Sequence, residues 1–316
     1  MKSSTKATII CIAFNHGDWI EETLESVRLQ EYYDKELIIV DNGSADSTAE
    51  KIKNWLGRNE LFFPVKTIFK DQPYPYCQLF NEVLFDTHSG YVVDLSGDDI
   101  LYPEHLRKSI EELSKNREAA FVFSDAYILG ENGVINTFYK RNSFQELEED
   151  VEIGNLYYTL LRRNFICSPT MVFNAGILKK EGGYDPDLYY EDFDIQLRLA
   201  RKYPVIFSDH IGVLKRKHKR SMSADQYKRY FSKMLPSTVK VCQKAFEMNS
   251  SQEENEALGE RILYELKHAL WSANFQSANS LIALGKKINL AGLKFNLYKI
   301  WAKYRWDISW VYIRIT

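Results

Sequence analysis

The sequence predicts an α/β protein: an open, mostly parallel sheet with helices on both faces, followed by a C-terminal helical appendage. Short, nearly continuous apolar runs recur through the first 210 residues, as in strands buried on both faces. Stretches of helical period alternate with them, and strand-helix-strand order implies parallel neighbours joined by crossovers. From residue 225 to 306 the apolar runs stop and the spacing reads mainly as helices. With 316 residues, 45% hydrophobic and 27% charged, the chain can bury a large core and lies outside the disordered range.

Ala7 to Phe14 is the first buried strand, broken by Asn15-His16-Gly17-Asp18. Trp19 to Gln30 then carries Ile20, Leu24 and Val27 at helical spacing, with Asp18 and Glu21 placed as a capping box. Glu36 to Asp41 is the second strand, and Ser47 with Glu50 again has capping-box spacing before Ile52, Trp55 and Leu56. Gly90 to Leu95 runs into Ser96-Gly97-Asp98-Asp99, and Pro103-Glu104 opens a further helix. Ala119–Ser124 and Ala126–Leu129 read as two strands, and the polar stretch 136–155 as a surface segment or lid. A helix follows from Asp192 to Lys202 with Arg198 and Arg201 outward, then a late strand from Pro204 to Phe207, and Asn249-Ser250-Ser251 breaks the helical region.

The formal charge of −2 conceals an asymmetry: residues 211–316 carry 19 Lys+Arg against 8 Asp+Glu, and residues 1–210 carry 22 against 35. A basic, aromatic tail can face an anionic membrane or substrate, and an acidic half can hold a divalent metal, although ordinary solvated surfaces have the same composition. No nucleic-acid partner is expected. Cys11, Cys77, Cys167 and Cys242 are widely spaced without a Cys-x-x-Cys pair, which reads as reduced thiols. The N-terminal run is too short for a signal peptide or a membrane span, so the expected location is cytoplasmic, with the inner face of the membrane as a second setting if the tail engages it.

In such a sheet the loops beyond the carboxyl ends of the strands converge on the ligand, so the polar residues closing the strands are the candidates. Asp98 and Asp99 lie in a turn tightened by Gly97. Adjacent carboxylates repel unless screened, and Mg²⁺ or Mn²⁺ takes oxygen ligands of this kind, with a diphosphate to complete the shell. A solvated turn capping the next helix has the same sequence. Asp41 closes the second strand, where its carboxylate can accept the N3–H of uracil or thymine, which cytosine lacks. Gly43 would let the backbone approach a ligand, and an ordinary helix-capping turn is the alternative. Asp192 shares a helix face with Gln196, and the dipole at a helix start favours its charged form, which suits a general base. His218 stands within the basic cluster Arg216–Arg220.

In order and setting these segments resemble the inverting nucleotide-sugar glycosyltransferases of glycosyltransferase family 2, which have the GT-A fold. The resemblance is carried by Phe14-Asn15, Ile38 to Asp46, Asn81, Leu95-Ser96-Gly97-Asp98-Asp99, Gly183-Tyr184-Asp185, and Glu191-Asp192-x-Asp194 leading into Leu197-Arg198. It covers about residues 7–223, which divides the chain into a GT-A catalytic domain, 1–223, and a helical C-terminal region, 224–316. The resemblance implies Asp192 as catalytic base and Phe14, Asn15, Asp41, Asn81 and Asp98 as donor-binding residues. Asp41 would meet the base and Asp98 the ribose or metal. It also implies Asp98, Asp99 and His218 as ligands of Mn²⁺ or Mg²⁺, with His218 matching the family's late histidine near the diphosphate. Ser96 stands where the family often has the first carboxylate of Asp-x-Asp-Asp, which weakens the case for a third ligand.

The implied reaction is a single displacement from a UDP- or dTDP-sugar onto the hydroxyl of a glycan or lipid-linked acceptor, in bacterial-type surface polysaccharide or glycan assembly. A nucleotidyltransferase is one alternative, but those enzymes usually bind triphosphate through a Gly-rich basic first loop, which Asn15-His16-Gly17-Asp18 is not. A catalytically inactive carbohydrate-binding or scaffold relative is another. The stretch Leu293–Ile315 interleaves Trp301, Trp306, Trp310 and tyrosines with Lys and Arg, a pattern that suits either a membrane interface or a packed helical appendage.

Overall fold

The computed structural model describes residues 5–312, so the start of the N-terminal segment and the end of the Leu293–Ile315 stretch lie outside the described residues. In chain order the elements are β1 (Ala7–Ala13), α1 (Ile20–Arg28), β2 (Lys35–Asp41), α2 (Thr48–Arg58), β3 (Val65–Phe69), α3 (Tyr76–Asp86), β4 (Tyr91–Ser96), β5 (Ile100–Leu101), α4 (His105–Lys115), β6 (Phe121–Leu129), β7 (Ile135–Thr137) and α5 (Tyr157–Arg162). There follow β8 (Val172–Asn174), α6 (Ala175–Lys180), α7 (Asp192–Ala200), β9 (Val205–Arg216), α8 (Met234–Met248), α9 (Gln252–Trp271), α10 (Phe275–Lys287), α11 (Leu293–Tyr304) and α12 (Ser309–Tyr312). Among the described residues they form two compact units, one from the stretch up to 156 with 166–186 and 202–217, the other from 157–165, 187–201 and the stretch from 218 onward. The contact division thus places α5 and α7 with the C-terminal helices, where the sequence division at residue 223 groups them with the strands.

The first unit holds the whole sheet, in the order β3-β2-β1-β4-β8-β6-β9-β5 with β7 beside β6. The long pairings, β1 with β2 and β4, β2 with β3, and β6 with β9, are parallel, while the antiparallel ones span two or three residue pairs each. Every residue of β1 is buried, as its unbroken apolar run requires. Ile9, Cys11 and Ala13 pack with Ile20 and Leu24 of α1, Ile52 of α2 and Leu106 of α4 on one face of the sheet, and α3 lies against β1 from the other. All four cysteines are buried, and burial holds the thiols of Cys11, Cys167 and Cys242 above their ordinary range.

Three local expectations are corrected. Neither capping box forms: no side chain caps α1 or α2 at its N-cap residue, and Asp46 takes that role for α2 by accepting the Thr48 N–H at 2.9 Å. The two strands expected between Ala119 and Leu129 are one strand, β6, bent by register shifts at Ser124–Asp125–Ala126. The stretch 136–155 lies at the surface, as read, and is tied to the sheet through β7 and through a bridge from Gly154 to Val205. The late strand runs to Arg216, well past Phe207.

A buried imidazole pair lies between α4 and β9, with His105 Nδ1 at 3.2 Å from His210 Nε2 and His210 Nδ1 at 3.0 Å from Ser208 Oγ. Burial pushes His210 down to about 4 and His105 well below its ordinary value. Unfolded imidazoles titrate near 6.5, so the pair's contribution is whole above about pH 6.5 and drains away as the pH falls toward about 4. The stability gap between wild type and His210→Gln should therefore narrow by on the order of 2 kcal/mol as the pH falls across that window. A gap in thermal unfolding that stays constant from pH 7 to 4 would contradict this.

In the second unit α8, α9 and α10 pack around Leu235, Val241, Leu258, Ile262, Leu266 and Leu281. The Ser251 hydroxyl accepts the Glu254 N–H and starts α9 at the expected break. Buried Arg261 pairs with Glu265 at 3.3 Å, donates to the Leu161 carbonyl and lies over the Phe193 ring, so its charge is fully engaged.

Candidate active site

Strands β2, β1 and β4 are adjacent and parallel, so their carboxyl ends open on one edge. Ala13 pairs with Asp41 and Ile12 with Ser96, which sets Asp41 on one side of the Phe14–Asn15 segment and the Ser96–Asp99 turn on the other. The Asn42 N–H donates to the Ala13 carbonyl at 2.8 Å, and the Gly97 N–H to that of Ile12 at 3.0 Å, fixing both loops to the end of β1.

Asp41 is 3% exposed and its Oδ1 has no hydrogen-bond partner. A buried acceptor left unmet is unfavourable, so this oxygen has room in its bonding for a further N–H. Asn42 clamps the loop opposite: its Oδ1 accepts the Tyr74 N–H at 2.8 Å and its Nδ2 donates to the Tyr74 carbonyl at 3.0 Å. Gly43 serves this clamp rather than a ligand. Its φ is +70°, and a Cβ there would stand 2.4 Å from the Gln72 carbonyl carbon. Phe14, after β1, and Tyr74, the residue that Asn42 clamps, are both exposed. Asn15 adopts a left-handed φ of 56°, its Oδ1 accepting the Ala45 N–H and its own N–H donating to Ser44 Oγ, both at 2.9 Å.

Across β1, Asp98 and Asp99 are both buried. Asp98 accepts the Ser96 hydroxyl and lies 4.0 Å from His16 Nε2. The Asp99 Oδ1 accepts the Arg216 N–H at 3.0 Å, and the Arg216 guanidinium donates to the Asp98 carbonyl at 2.6 Å and to Glu22. Burial, and then the Asp98 charge beside it, push the Asp99 carboxyl up to about 7. Gly97 is required here, because a Cβ would come within 2.8 Å of Ala13 Cβ and of His16 Nδ1. Arg216 and His16 escaped the sequence reading. Arg216 looked like the start of a solvated basic cluster, and only the full length of β9 buries it.

Asn81 lies on α3, where the backbone of one residue engages both ends of its amide: Nδ2 donates to the Tyr184 carbonyl at 2.7 Å and Oδ1 accepts the Tyr184 N–H at 2.8 Å. The Tyr184 and Tyr76 hydroxyls both donate to Asp94, at 2.8 and 2.6 Å, and burial pushes Asp94 up to about 6. These bonds make Asn81 a clamp on the Gly183–Tyr184 turn.

In the second unit Asp192 is the first residue of α7, half-buried, with its Oδ1 accepting the Phe193 N–H at 2.6 Å. Asp194 is buried and ion-paired to Arg198 at 2.7 Å and to Lys244, so Arg198 is engaged rather than outward. Arg201 likewise pairs with Glu254. His218 donates its backbone N–H to Ser221 Oγ at 3.2 Å. Among the described residues no group of three or more His, Cys, Asp and Glu is arranged to hold a metal ion.

The chain is similar to proteins already known. The chain is 24% identical to the poly-beta-1,6-N-acetyl-D-glucosamine synthase of Staphylococcus epidermidis over 195 residues, 61% of this chain and 45% of that protein. It thus spans about half the length of that relative. It is also 22% identical to the O-antigen biosynthesis glycosyltransferase WbnJ of Escherichia coli, covering 65% of this chain and 76% of that one. Among solved structures, S. aureus TarS 1–349 in complex with UDP-GlcNAc superposes with a TM-score of 0.68 at 17% identity, over 95% of this chain and 88% of that one. The mannosyltransferase PcManGT from Pyrobaculum calidifontis, in complex with GDP-Man and Mn²⁺, superposes with a TM-score of 0.58 at 16% identity, over 95% and 83%. These likenesses show the GT-A type of α/β fold. Residues 8–179, more than half of the sequence, match the profile of glycosyl transferase family 2, and the chain belongs to that family.

Proposed function

We propose that the protein is an inverting glycosyltransferase that moves a sugar from a UDP- or dTDP-sugar to the hydroxyl of a glycan or lipid-linked acceptor, in surface polysaccharide or glycan assembly. The observation that carries the donor reading is the buried, unmet Oδ1 of Asp41 at the end of β2, an acceptor suited to the N3–H of uracil or thymine. The exposed rings of Phe14 and Tyr74 offer apolar surface to the nucleoside. The UDP-GlcNAc in the TarS complex and the polysaccharide products named for the two relatives support the same class of donor and product.

Mn²⁺ or Mg²⁺ fits the Asp98–Asp99 turn. Two buried neighbouring carboxylates, one already pushed up to about 7, gain from a cation between them, and an Mg²⁺-type ion accepts one or two carboxylates plus phosphate and water oxygens. When bound there it would neutralise the charge that develops on the departing diphosphate. Arg216 and Ser96 hold the two carboxylates in place. Asp192 is proposed to accept the proton of the acceptor hydroxyl as its oxygen attacks the anomeric carbon opposite the leaving group, which inverts that centre. His218 is proposed to meet the diphosphate. Asn81 is proposed to act on the donor site through the turn it clamps.

Release of UDP from UDP-GlcNAc or another UDP-sugar in the presence of Mn²⁺ tests transfer, since an inactive binding relative releases none. Base recognition has its own check. Wild type should prefer UDP to CDP in calorimetry, and Asp41→Ala should lose roughly 10–100-fold in UDP affinity and bind the two alike, as expected for a hydrogen bond to a charged acceptor. Equal UDP and CDP affinities in the wild type would refute the role of Asp41.

A further inference from the structure

Helix α11 is apolar on two opposite faces. Phe295 and Ala302 are buried within the second unit, where α11 packs on α9 and α10. Leu293, Leu297, Ile300 and Tyr304 recur at spacings of four, three and four, so they form one stripe at about 180° from the buried pair. The stripe faces solvent: Leu293 is 77% exposed, Leu297 55%, Ile300 44% and Tyr304 60%. A helix lying on a water-facing surface normally turns polar residues outward, so a four-residue apolar stripe here signals an unpartnered surface. Beyond the helix Trp306 stacks on Tyr304 with ring centroids 5.6 Å apart, and Trp310 is also half-exposed.

Charge selects the occupant. From residue 266 to 316 the sequence holds eight Lys and Arg and a single acidic residue, Asp307. Asp307 is engaged within the unit, accepting the Tyr230 hydroxyl at 2.6 Å and the Ser309 N–H at 3.0 Å. Lys294 and Lys303 flank the stripe on its two sides, and both are exposed. Apolar side chains with Trp and Tyr at one end, flanked by cations on a helix that carries no acidic residue of its own, match the boundary of an anionic bilayer, where rings sit at headgroup depth and ammonium groups meet phosphates. A neutral protein groove would leave the cations unanswered.

We propose that α11 is a membrane-docking surface: it lies in the plane of an anionic lipid bilayer, with Leu293, Leu297, Ile300 and Tyr304 inserted at the headgroup boundary and Lys294 and Lys303 on lipid phosphates. Among the described residues no helix is long and apolar enough to cross a membrane, so the contact is peripheral. The inference stands on α11 and its charges and holds whether or not the transferase reading does.

Vesicle flotation of the full chain tests it. The protein should float with phosphatidylglycerol-containing vesicles, float less with pure phosphatidylcholine, and detach as salt rises. Leu297→Ser/Ile300→Ser should reduce binding by roughly tenfold or more, since two apolar side chains no longer leave water. Lys294→Glu/Lys303→Glu should abolish the preference for anionic vesicles while keeping the stripe. All four positions face solvent, so circular dichroism and Tm should match wild type. Equal flotation of wild type and the Leu297→Ser/Ile300→Ser variant would overturn the proposal, as would no flotation at all. So would a dimer in sedimentation equilibrium that this variant dissolves without altering vesicle binding, because the stripe would then belong to a second copy of the chain.

Discussion

Asp99→Asn should weaken UDP binding in Mn²⁺ by roughly 100-fold and, without metal, should make the protein more stable above neutral pH. Both effects follow from one arrangement. Asp99 is buried next to Asp98, and its carboxyl is pushed up to about 7 by burial and then by that neighbour. An unfolded carboxyl titrates near 4, so the folded state resists ionisation that the unfolded state undergoes freely. Stability is therefore drained as the pH rises from about 4 to about 7. The neutral amide removes that loss and should raise the metal-free Tm at pH 8 by a few degrees. It also removes one of the two charges that answer the cation, and the diphosphate then meets an acidic turn with less to screen it. Calorimetry with Mn²⁺ and with chelator, beside thermal unfolding of both proteins, reads the two arms separately. If UDP binds wild type equally well with Mn²⁺ and with chelator, the cation has no part in holding the donor.

How far the sequence discloses such a site depends on how each residue comes to be buried. Asp41 and the Asp98–Asp99 pair close strands that are covered on both faces, and such strands write their apolar runs plainly. Position at a strand end is then enough to nominate them. Arg216 is different. Its strand, β9, alternates buried with half-exposed residues and contains Ser208, Asp209 and His210, so the run after Phe207 carries no strand signal and the arginine looks solvated. Gly43 was legible as a special position but not by cause, since the backbone it makes room for, at Gln72–Pro73, is some thirty residues away along the chain. The capping boxes fail for a local reason at α2: Asp46, one residue before Ser47, already meets the Thr48 N–H. Asp194 is the sharpest lesson. Standing two residues from Asp192, it lies on another face of the helix, where a partner fifty residues on, Lys244, together with Arg198, pairs it inside the unit, and no pattern around Asp194 announces Lys244.

That pairing shapes the experiment on the proposed base. Asp192→Asn should lower kcat by about 10²–10⁴-fold, the range general-base catalysis typically supplies, with little change in UDP affinity. The amide keeps the shape of the side chain and can still accept the Phe193 N–H through its oxygen, so α7 should start as before. What it cannot do is take the acceptor's proton. Glu191→Gln is the fitting control, because Glu191 is the N-cap residue of α7, is half-buried like Asp192, and makes no side-chain cap bond. Asp194→Asn is unsuitable, for it would strip two half-buried cations of their buried partner and lower Tm before any chemistry is read. The measurement is product formation with a UDP-sugar and acceptor, alongside UDP titration and thermal unfolding of each variant. Near wild-type turnover in Asp192→Asn, or a larger loss in Glu191→Gln with fold and UDP binding intact in both, would move the base elsewhere. A fall in UDP affinity equal to the fall in kcat/KM would instead make Asp192 a donor ligand, because a group that acts only on the acceptor's proton leaves the binding of the leaving nucleotide unchanged.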